Sequence, residues 1–327
     1  MRAIVATSPG GPEVLAIADV PIPTLTDIDV LIEVRAAGVN RADLLQRQGL
    51  YPPPRGASDI IGMEVSGVVT GVGELVDDVA VGDAVVALIP GGGYAEFVVA
   101  DSRLVLPMPL GLTFDQAAGV PEAFATVWSN VFMVAGLQPE EWLVIHGGGS
   151  GIGTTAIQLA HQAGAHVITT VGSDRKASAC AALGAEVVVN YRDEDFVEAV
   201  KEHTKGDGAD VILDIMGASY LDRNLNALAT DGRLVIIGLQ GGVKTEIDLG
   251  RLLSRRLSVL GTTLRSRSNN DKRAILEQMH EVIWPVIENG SVAPVIDSVF
   301  DLADASEAHA ALAGGEPIGK IILRVNG

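Results

Sequence analysis

The chain has 327 residues, more than the roughly 250 to 300 at which a single hydrophobic core stops growing, so two domains are expected. Its formal net charge of −18 would repel a phosphate backbone and disfavours nucleic acid as a partner. A single cysteine, Cys180, excludes an intramolecular disulfide and zinc sites built on several thiolates. No apolar run has the ~18 residues of a membrane span, and the N-terminus lacks a signal-peptide pattern, so we expect a cytoplasmic protein.

The first third of the chain consists of short β-type runs separated by Gly and Pro, among them "RAIVATS", "DVLIEVRAAGV" and "MEVSGVVTGVG". This spacing predicts a compact β-domain, which one short helix, "RADLLQRQG", interrupts. Glu64 stands inside the apolar run "IIGMEVSGVV". Because burying an unpaired carboxylate costs several kcal/mol, roughly, Glu64 requires a hydrogen-bonding partner, an ion pair or a metal.

From about residue 122 the pattern changes to apolar strands that alternate with amphipathic helices. The predicted strands are "WLVIHG", "HVITTVG", "EVVVNY", "ADVILDIM", "GRLVIIGL" and "LSVLGTTL". Six such strands with helices between them predict a doubly wound parallel sheet. After residue 264 a helix, a strand, a helix and the strand "KIILRV" follow without this alternation, so we expect them to complete the first domain. The predicted organisation is therefore a catalytic domain over 1–121, a dinucleotide-binding domain over 122–264, and a return to the catalytic domain over 265–327.

A glycine-rich loop follows the first of these strands. "WLVIH" runs into "GGGSGIG" and then into the helix "TTAIQLAHQAG", and the last six loop residues match G-x-G-x-x-G with serine in the second glycine position. Glycine permits a tight turn and close helix-to-sheet packing, and the helix N-terminus offers N–H groups to a pyrophosphate. A plain glycine-rich turn is the alternative. The predicted dinucleotide contacts are Gly148, Gly149, Ser150, Gly151, Ile152 and Gly153.

The end of the second strand indicates which dinucleotide is bound. NAD enzymes usually carry Asp or Glu there, whereas "TTVGSDRK" has Gly172 and Ser173, followed by Arg175 and Lys176. Two cations without a strand-end carboxylate favour a 2′-phosphate, and hence NADPH. Asp174 is discordant, and we expect it to point outward or to cap the next helix. In the alternative interpretation, Arg175 and Lys176 are solvated helix residues.

These motifs together resemble the medium-chain dehydrogenase/reductase superfamily, specifically its zinc-free, zeta-crystallin-like quinone oxidoreductase branch. The resemblance spans essentially the whole chain and is carried by "AAGVNRADLLQRQGLYPPP", "IIGMEVSGVVTGVGELVDDVAVGDAVVAL", "HGGGSGIGTTAIQLA" and "GKIILRV". Within the branch, "QGLYP", "SGIG" and "GTTLRSRS" are most similar to the tumour-suppressor-induced type. The resemblance implies an α/β fold with a GroES-like β-rich catalytic domain and a doubly wound Rossmann domain, and it implies a homodimer.

Zinc-dependent relatives bind the metal through a Cys after the "AAGV" strand, a His in a Gly-His-Glu triplet, and a third ligand early in the Rossmann half. The matching positions here are Asn40, Met63 and the segment "EAFAT". None of the six histidines pairs with another at ligand spacing, so we expect no metal site. Glu64 is then expected to be structural, paired with Arg or Lys, with a proton relay as the alternative.

The resemblance implies three candidate catalytic residues. It places Tyr51 beside the nicotinamide and the substrate, where a phenol either donates a hydrogen bond to a developing oxyanion or walls the cleft. Asn40 is expected to hydrogen-bond cofactor or substrate, or alternatively to cap the helix that begins at Arg41. The Ser150 hydroxyl is expected to reach the nicotinamide side or a phosphate, or else Ser150 is a passive small residue at a helix start.

Five further positions complete the expected cofactor site. Thr126 matches a residue that touches the nicotinamide in relatives, although a packing role is equally plausible. Tyr191 is expected at the adenosine end, or alternatively as a strand-end aromatic. Gly238 and Leu239 end the fifth strand, at the edge where dinucleotides lie. Arg265 is expected to bind phosphate or close the interdomain cleft, or to be a solvated arginine.

The predicted activity is NADPH-dependent, zinc-independent hydride transfer to quinones or related conjugated carbonyls, which accept hydride without a Lewis acid. One alternative reduces the C=C bond of enals, enones or enoyl thioesters on the same fold. A second is an NADPH-binding sensor or structural protein with little catalysis.

Overall fold

The computed structural model describes residues 1–325. The strands are β1 (Arg2–Ala6), β2 (Leu15–Asp19), β3 (Asp29–Val39), β4 (Glu64–Val72), β5 (Ala84–Leu88), β6 (Phe97–Asp101), β7 (Val105–Pro107), β8 (Trp142–His146), β9 (His166–Val171), β10 (Val187–Asn190), β11 (Ala209–Asp214), β12 (Leu228–Ile236), β13 (Ser258–Gly261), β14 (Ile296–Asp301) and β15 (Lys320–Arg324).

The α-helices are α1 (Arg41–Arg47), α2 (Phe114–Ala117), α3 (Pro121–Val127), α4 (Gly151–Gln162), α5 (Asp174–Ala182), α6 (Phe196–His203), α7 (Leu221–Ala227), α8 (Leu249–Arg255), α9 (Asn269–Glu288) and α10 (Ala305–Gly314). A π-helical segment, Trp128–Val134, follows α3, and short 3₁₀ turns lie at Pro12–Val14, Ser102–Leu104, Gly217–Ser219 and Leu302–Asp304. No helix within the described residues is long and apolar enough to cross a membrane.

The chain divides into two compact units. The first contains Met1–Ala125 and the chain from Leu264 onwards, and the second is Thr126–Thr263. The sequence-based boundaries differ, because they placed residues 122–125 and Leu264 in the second unit. A hydrogen bond from the Glu122 backbone N–H to Glu64 in β4 shows why the beginning of α3 belongs with the first unit.

The first unit is built on a largely antiparallel sheet with the order β14-β15-β3-β4-β5-β7, while β6 also pairs with β3, and β1 and β2 form a separate pair. Alternate residues of β3 are buried, as expected for a strand with one face on the core. The last strand, β15, runs antiparallel to β3, with Ile321 opposite Val39. This pairing places Lys320 beside the end of β3.

The second unit is a six-stranded parallel sheet with the order β10-β9-β8-β11-β12-β13. Its central strands are largely apolar, since helices cover both faces; Leu143, Val144 and Ile145 are fully buried. The predicted fold class is confirmed. The strand order reverses between β8 and β11, and ligands of such sheets bind beyond the carboxyl ends of the strands at this point.

Candidate active site

The loop after β8 has the shape that a dinucleotide requires. Gly147 adopts a φ of 78°, in the left-handed region. A Cβ on Gly148 would lie 2.2 Å from Thr169 Oγ1, and a Cβ on Gly153 would lie 2.4 Å from the Gly147 carbonyl oxygen. Neither position can carry a side chain, so the loop passes close to β9 and α4 begins against it. The N-terminus of α4 follows with its peptide dipoles aligned for an anion.

Ser150 is the N-cap of α4. Its Oγ accepts a hydrogen bond from the Gly153 backbone N–H at 2.9 Å. The hydroxyl therefore has a structural role in starting the helix, while its own proton stays free to be donated. Gly151 and Ile152 form the first turn of α4 between these two residues.

The glycine-rich loop contacts α5 through the Lys176 side chain. A Cβ on Gly149 would lie 2.9 Å from Lys176 Cδ, so this lysine stem packs on the loop. Ser173 caps α5, and its Oγ accepts from the Lys176 N–H at 3.4 Å. Of the two positions predicted for Asp174, the structure shows the exposed one, because Ser173 is the cap.

Tyr191 lies at the same end of the sheet. A Cβ on Gly172 would lie 2.3 Å from the Tyr191 hydroxyl oxygen, so the phenol sits over the bare glycine backbone. Tyr191 is 48% exposed and thus offers much of its ring to a ligand. A side chain in place of Gly172 would require the Tyr191 phenol to shift from this position.

The fifth strand, β12, ends at Ile236, so Gly238 and Leu239 lie just beyond the strand and do not end it as predicted; Ile236 and Leu239 line an open cleft of about 510 Å³. Gly238 packs so closely on Ile215, the residue after β11, that a Cβ would lie 2.8 Å from the Ile215 carbonyl oxygen. Leu239 is 53% exposed. The cleft is lined by Gly217, Ala218, Leu221, Ile236, Leu239, Val243, Lys244 and Thr245.

Thr126 is buried within α3, and its backbone carbonyl accepts from Asn130 Nδ2 at 2.8 Å. This burial is what the alternative of a packing role predicts.

In the first unit, Glu64 is the centre of a buried polar cluster. Its Oε1 lies 2.6 Å from Lys320 Nζ and accepts from Asn40 Nδ2 at 2.9 Å, while its Oε2 accepts from the Glu122 N–H at 2.8 Å. Lys320 Nζ also donates to Asn40 Oδ1 at 2.6 Å. The expected pairing of Glu64 with a cation is thus present. The Asn40 side chain bridges Glu64 and Lys320, and Asn40 is also the N-cap of α1, where its backbone N–H donates to Asp43 Oδ2 in a capping box.

Asp43 continues this cluster into the core. Its Oδ2 accepts from the Asn40 N–H at 2.8 Å and from the Tyr94 hydroxyl at 3.1 Å, whereas Oδ1 has no partner. Burial raises the pKa of Asp43 to about 6. Tyr94 also meets His309 Nε2 at 3.1 Å, and His309 Nδ1 lies 3.1 Å from Arg47 Nη1. Because arginine only donates, Nδ1 accepts and Nε2 carries the ring hydrogen.

Glu122 occupies the first turn of α3 and is half-buried. Burial and, secondly, the charge of Glu64 raise its pKa to about 8. The ammonium groups of Lys320 and Lys272 oppose this shift without cancelling it. A carboxyl with such a pKa is largely protonated at neutral pH and can donate a proton.

Tyr51 is held by Arg265. The guanidinium centre lies 5.4 Å from the Tyr51 ring centroid, and the same side chain donates to the Pro90 carbonyl at 2.8 Å and to Gln46 Oε1 at 2.7 Å. Arg265 is therefore buried within the first unit, which contradicts the solvated alternative and does not favour the predicted phosphate contact. Burial, then the Glu122 charge, raises the pKa of Tyr51, so its phenol keeps its proton at neutral pH.

Sequence reasoning did not identify Glu122, Lys320 or Asp43 as site residues. Of the three, Lys320 was the easiest to predict from the sequence, because two opposite charges in apolar strands, Glu64 and Lys320, suggest an ion pair. Glu122 gave no signal, since a glutamate in a first helical turn usually serves the helix dipole.

The side chains described in the first unit are poorly suited to bind a metal ion. No group of three or more His, Cys, Asp or Glu side chains in residues 1–325 is placed to hold a metal ion. At the positions of the zinc ligands of relatives, Asn40 supplies an amide and the buried Met63 a thioether. Both are weaker zinc ligands than thiolate and imidazole.

Comparisons with known proteins agree with this geometry. Residues 26–110 match the alcohol dehydrogenase GroES-like domain, and residues 151–281, which exclude Asn40 and Met63, match the zinc-binding dehydrogenase family. The quinone oxidoreductase of Mus musculus is 31% identical, over 99% of this chain and 97% of the relative. The Escherichia coli quinone oxidoreductase complexed with NADPH superimposes with a TM-score of 0.88, at 29% identity over 99% of both chains. An NAD-dependent alcohol dehydrogenase gives a TM-score of 0.89 at 33% identity, over 100% of both chains. The chain therefore belongs to the quinone oxidoreductases of the medium-chain dehydrogenase/reductase superfamily, and it is an oxidoreductase.

Proposed function

We propose that the protein is an NADPH-dependent, zinc-independent reductase that transfers hydride to quinones or related conjugated carbonyl compounds. The proposal is carried by two contacts near the carboxyl ends of β8 and β9, the packing of Lys176 on Gly149 and of the Tyr191 phenol over Gly172. This region offers a cation and no strand-end carboxylate. The NADPH complex of the Escherichia coli relative supports the same cofactor.

The residues of the second unit fit this cofactor. Because Gly148 and Gly153 carry no side chains, a pyrophosphate can approach the loop backbone closely, and the N-terminus of α4 supplies N–H hydrogen-bond donors. We propose that Lys176 faces the 2′-phosphate and that Tyr191 contacts the adenosine. When bound, NADPH supplies hydride. Tyr51, fixed by Arg265, is proposed to donate a hydrogen bond to the acceptor oxygen as negative charge develops there.

Lys176→Glu is expected to invert the cofactor preference. A carboxylate about 4 Å from a 2′-phosphate costs about 1 to 4 kcal/mol, depending on screening, so stabilisation by NADPH should fall while stabilisation by NADH is retained. Thermal shift with each dinucleotide measures this. Lys205→Glu, an exposed lysine in the same unit, is the matched control and should behave as wild type. Equal stabilisation of the wild-type protein by NADH and NADPH would contradict the assignment.

Zinc independence makes a separate prediction. The Asn40 side chain is already hydrogen-bonded to Glu64 and Lys320, and the Met63 thioether has no ionisable proton, so it cannot become an anionic metal ligand. Prolonged dialysis against a chelator is therefore expected to leave NADPH-dependent quinone reduction unchanged, with metal content followed by atomic absorption. Loss of activity that added zinc restores would show that the protein uses a metal.

The acceptor is tested by steady-state NADPH oxidation with 1,2-naphthoquinone and, in parallel, an alkenal. Faster turnover of the quinone is expected. Equal or faster alkenal turnover would support the C=C reductase, and tight NADPH binding with no oxidation by any acceptor would support the sensor. The homodimer and the cytoplasmic location stay predictions from the sequence.

A further inference from the structure

The glycine-rich loop of the second unit is tied to the neighbouring strand β9 at its first two residues. The Gly148 N–H donates to the Thr170 carbonyl oxygen at 3.0 Å, and the Gly147 N–H makes a longer hydrogen bond, 3.4 Å, to the Thr170 hydroxyl oxygen. Gly147 has a φ of 78°, and because glycine has many other accessible conformations, this one must be held by contacts. Thr170 therefore holds the beginning of the loop.

The Thr170 hydroxyl is itself oriented by His146, the last residue of β8. Its oxygen lies 3.1 Å from His146 Nδ1, and His146 Nε2 lies 2.7 Å from Asn224 Oδ1 in α7. Burial lowers the pKa of His146 to about 4, so the ring is neutral at physiological pH. An amide oxygen only accepts, so Nε2 carries the ring hydrogen and Nδ1 accepts from the Thr170 hydroxyl. The threonine proton thus points to His146, which leaves the oxygen lone pairs for the Gly147 N–H.

We propose that His146 is a positioning residue of the dinucleotide site, which connects α7 to the glycine-rich loop through Asn224 on one side and Thr170 on the other. We call these three side chains the loop anchor. The inference rests on the dinucleotide site of the proposed function. Since α7 also supplies Leu221 to the cleft beyond β12, the loop anchor connects the loop with the wall of that cleft.

The loop anchor lies where water cannot replace its hydrogen bonds. His146 and Thr170 are each 2% exposed, and Asn224 is 0% exposed. The His146 ring also packs edge-on against Phe196 and Tyr220, with ring centroids 4.7 and 4.9 Å away. Packing therefore fixes the plane of the imidazole, while Thr170 and Asn224 determine what its two nitrogens do.

The Asn224 amide has an unusual hydrogen-bonding pattern. Its Oδ1 is bonded to His146, whereas its Nδ2 is buried and has no hydrogen-bond partner among residues 1–325. An unpaired buried donor lowers stability, and such a group in a native structure calls for an explanation. The hydrogen bond to His146 supplies one, because an oxygen that only accepts keeps the ring hydrogen on Nε2 and leaves Nδ1 for Thr170.

The loop anchor is expected to act on cofactor affinity. When a loop holds its binding conformation for only part of the time, the apparent affinity for the ligand falls by that fraction. Loss of the Thr170 hydroxyl would leave the Gly147 N–H without its acceptor, so the loop would populate other conformations and NADPH binding would have to restore the native one. The KM for NADPH should then rise while kcat changes little, because the reacting groups are untouched.

Titration calorimetry with NADPH tests the loop anchor at Thr170. Thr170→Val, which replaces the hydroxyl with a methyl group of similar size, is expected to bind NADPH about 10-fold more weakly than wild type. Thr170→Ser keeps the hydroxyl and should bind within about 2-fold of wild type. Unchanged affinity in a folded Thr170→Val protein would overturn the proposal.

Thr204→Val is the matched control. Thr204 is also buried, and its hydroxyl oxygen accepts from the Gly208 N–H at 2.9 Å, but this contact precedes β11, at the amino end of the sheet. The control should lose thermal stability as Thr170→Val does and bind NADPH as wild type does. An equal loss of NADPH affinity in both variants would mean that general destabilisation is the cause, and the positioning role would be wrong.

Asn224→Leu tests whether α7 acts on the loop through His146. This variant removes the accepting oxygen and is expected to weaken NADPH binding about 5-fold. In the Thr170→Val background the same change should weaken binding no further, because the connection is already broken. Additive losses in the double variant would show that the two side chains act independently, which contradicts the proposal.

Nitrogen NMR of the protein labelled at its histidines gives a readout that depends on neither turnover nor affinity. His146 is expected to be a neutral ring with its hydrogen on Nε2, and its signals are identified by their absence in His146→Gln. A hydrogen on Nδ1 would overturn the proposal, because that N–H would compete with Gly147 for the Thr170 hydroxyl oxygen. If Thr170→Val weakens NADPH binding as expected and the wild-type protein reduces no quinone, the proposed function fails and the positioning role stands.

Discussion

Lys320→Met is expected to lower the free energy of unfolding by about 3 to 5 kcal/mol. Methionine has a similar volume, but it leaves the Glu64 carboxylate, which is 0% exposed, without the ammonium 2.6 Å away. The same change removes the hydrogen bond to Asn40 Oδ1. Because β15 pairs with β3 beside this contact, the loss should be seen as a lower urea midpoint of the first unit, followed by far-UV circular dichroism.

Lys201→Met provides the comparison for this variant. Lys201 forms an exposed pair with Glu198 at 3.1 Å, and exposed pairs contribute about 0 to 1 kcal/mol. The double variant Lys320→Met with Glu64→Gln should regain much of the lost stability, since a neutral amide has no charge to compensate. If Lys320→Met costs no more than Lys201→Met, the buried pair is not what joins β15 to this cluster.

The fold could be predicted because its determinants are local. Strands such as β8 and β11 are buried on both faces, so they appear in the sequence as short continuous apolar runs between helices. The glycine-rich loop could also be predicted, because its backbone conformation excludes side chains at fixed spacing. The unit boundary near residue 121 was less accurate, since a single helix, α3, crosses it.

The polar cluster of the first unit could not be predicted in the same way. Glu64 and Lys320 are far apart in sequence. Strand periodicity can predict that both side chains are buried, but it does not predict which strands pair with each other. The sequence suggested that Asn40 contacts a ligand or caps a helix; the structure shows it as the N-cap of α1, and its side chain also bridges Glu64 and Lys320, which the sequence did not indicate. The raised pKa of Glu122 arises from burial and from Glu64, which are properties of the assembled unit.

Cys180 in the second unit also shows that burial can be predicted from the sequence while the contacting neighbour cannot. The thiol is buried in α5, and burial raises its pKa to about 11. The sequence did not show that the sulfur lies against the dinucleotide loop, 3.0 Å from where a Gly148 Cβ would be. Helix periodicity gives the buried face, whereas the neighbour depends on how α5 packs.

Gly153→Val is expected to weaken NADPH binding about 1,000-fold, which is about 4 kcal/mol. A Cβ at this position would lie 2.4 Å from the Gly147 carbonyl oxygen and 2.6 Å from Gly148 Cα. These are backbone atoms, so the clash can be relieved only by moving α4 away from the loop. That movement would break the Ser150 cap and withdraw the helix N-terminus from the pyrophosphate.

Titration calorimetry with NADPH measures the loss, and Gly261→Ala is the matched glycine variant in the same unit. Gly261 ends β13 and has nothing within 4 Å of its added Cβ, so its variant should bind NADPH as wild type does. Far-UV circular dichroism of Gly153→Val should remain that of an α/β protein, because the clash concerns one helix start. Unchanged NADPH affinity in a folded Gly153→Val protein would mean that the pyrophosphate does not depend on the close approach of α4 to the loop, and the proposed cofactor site would have to be abandoned.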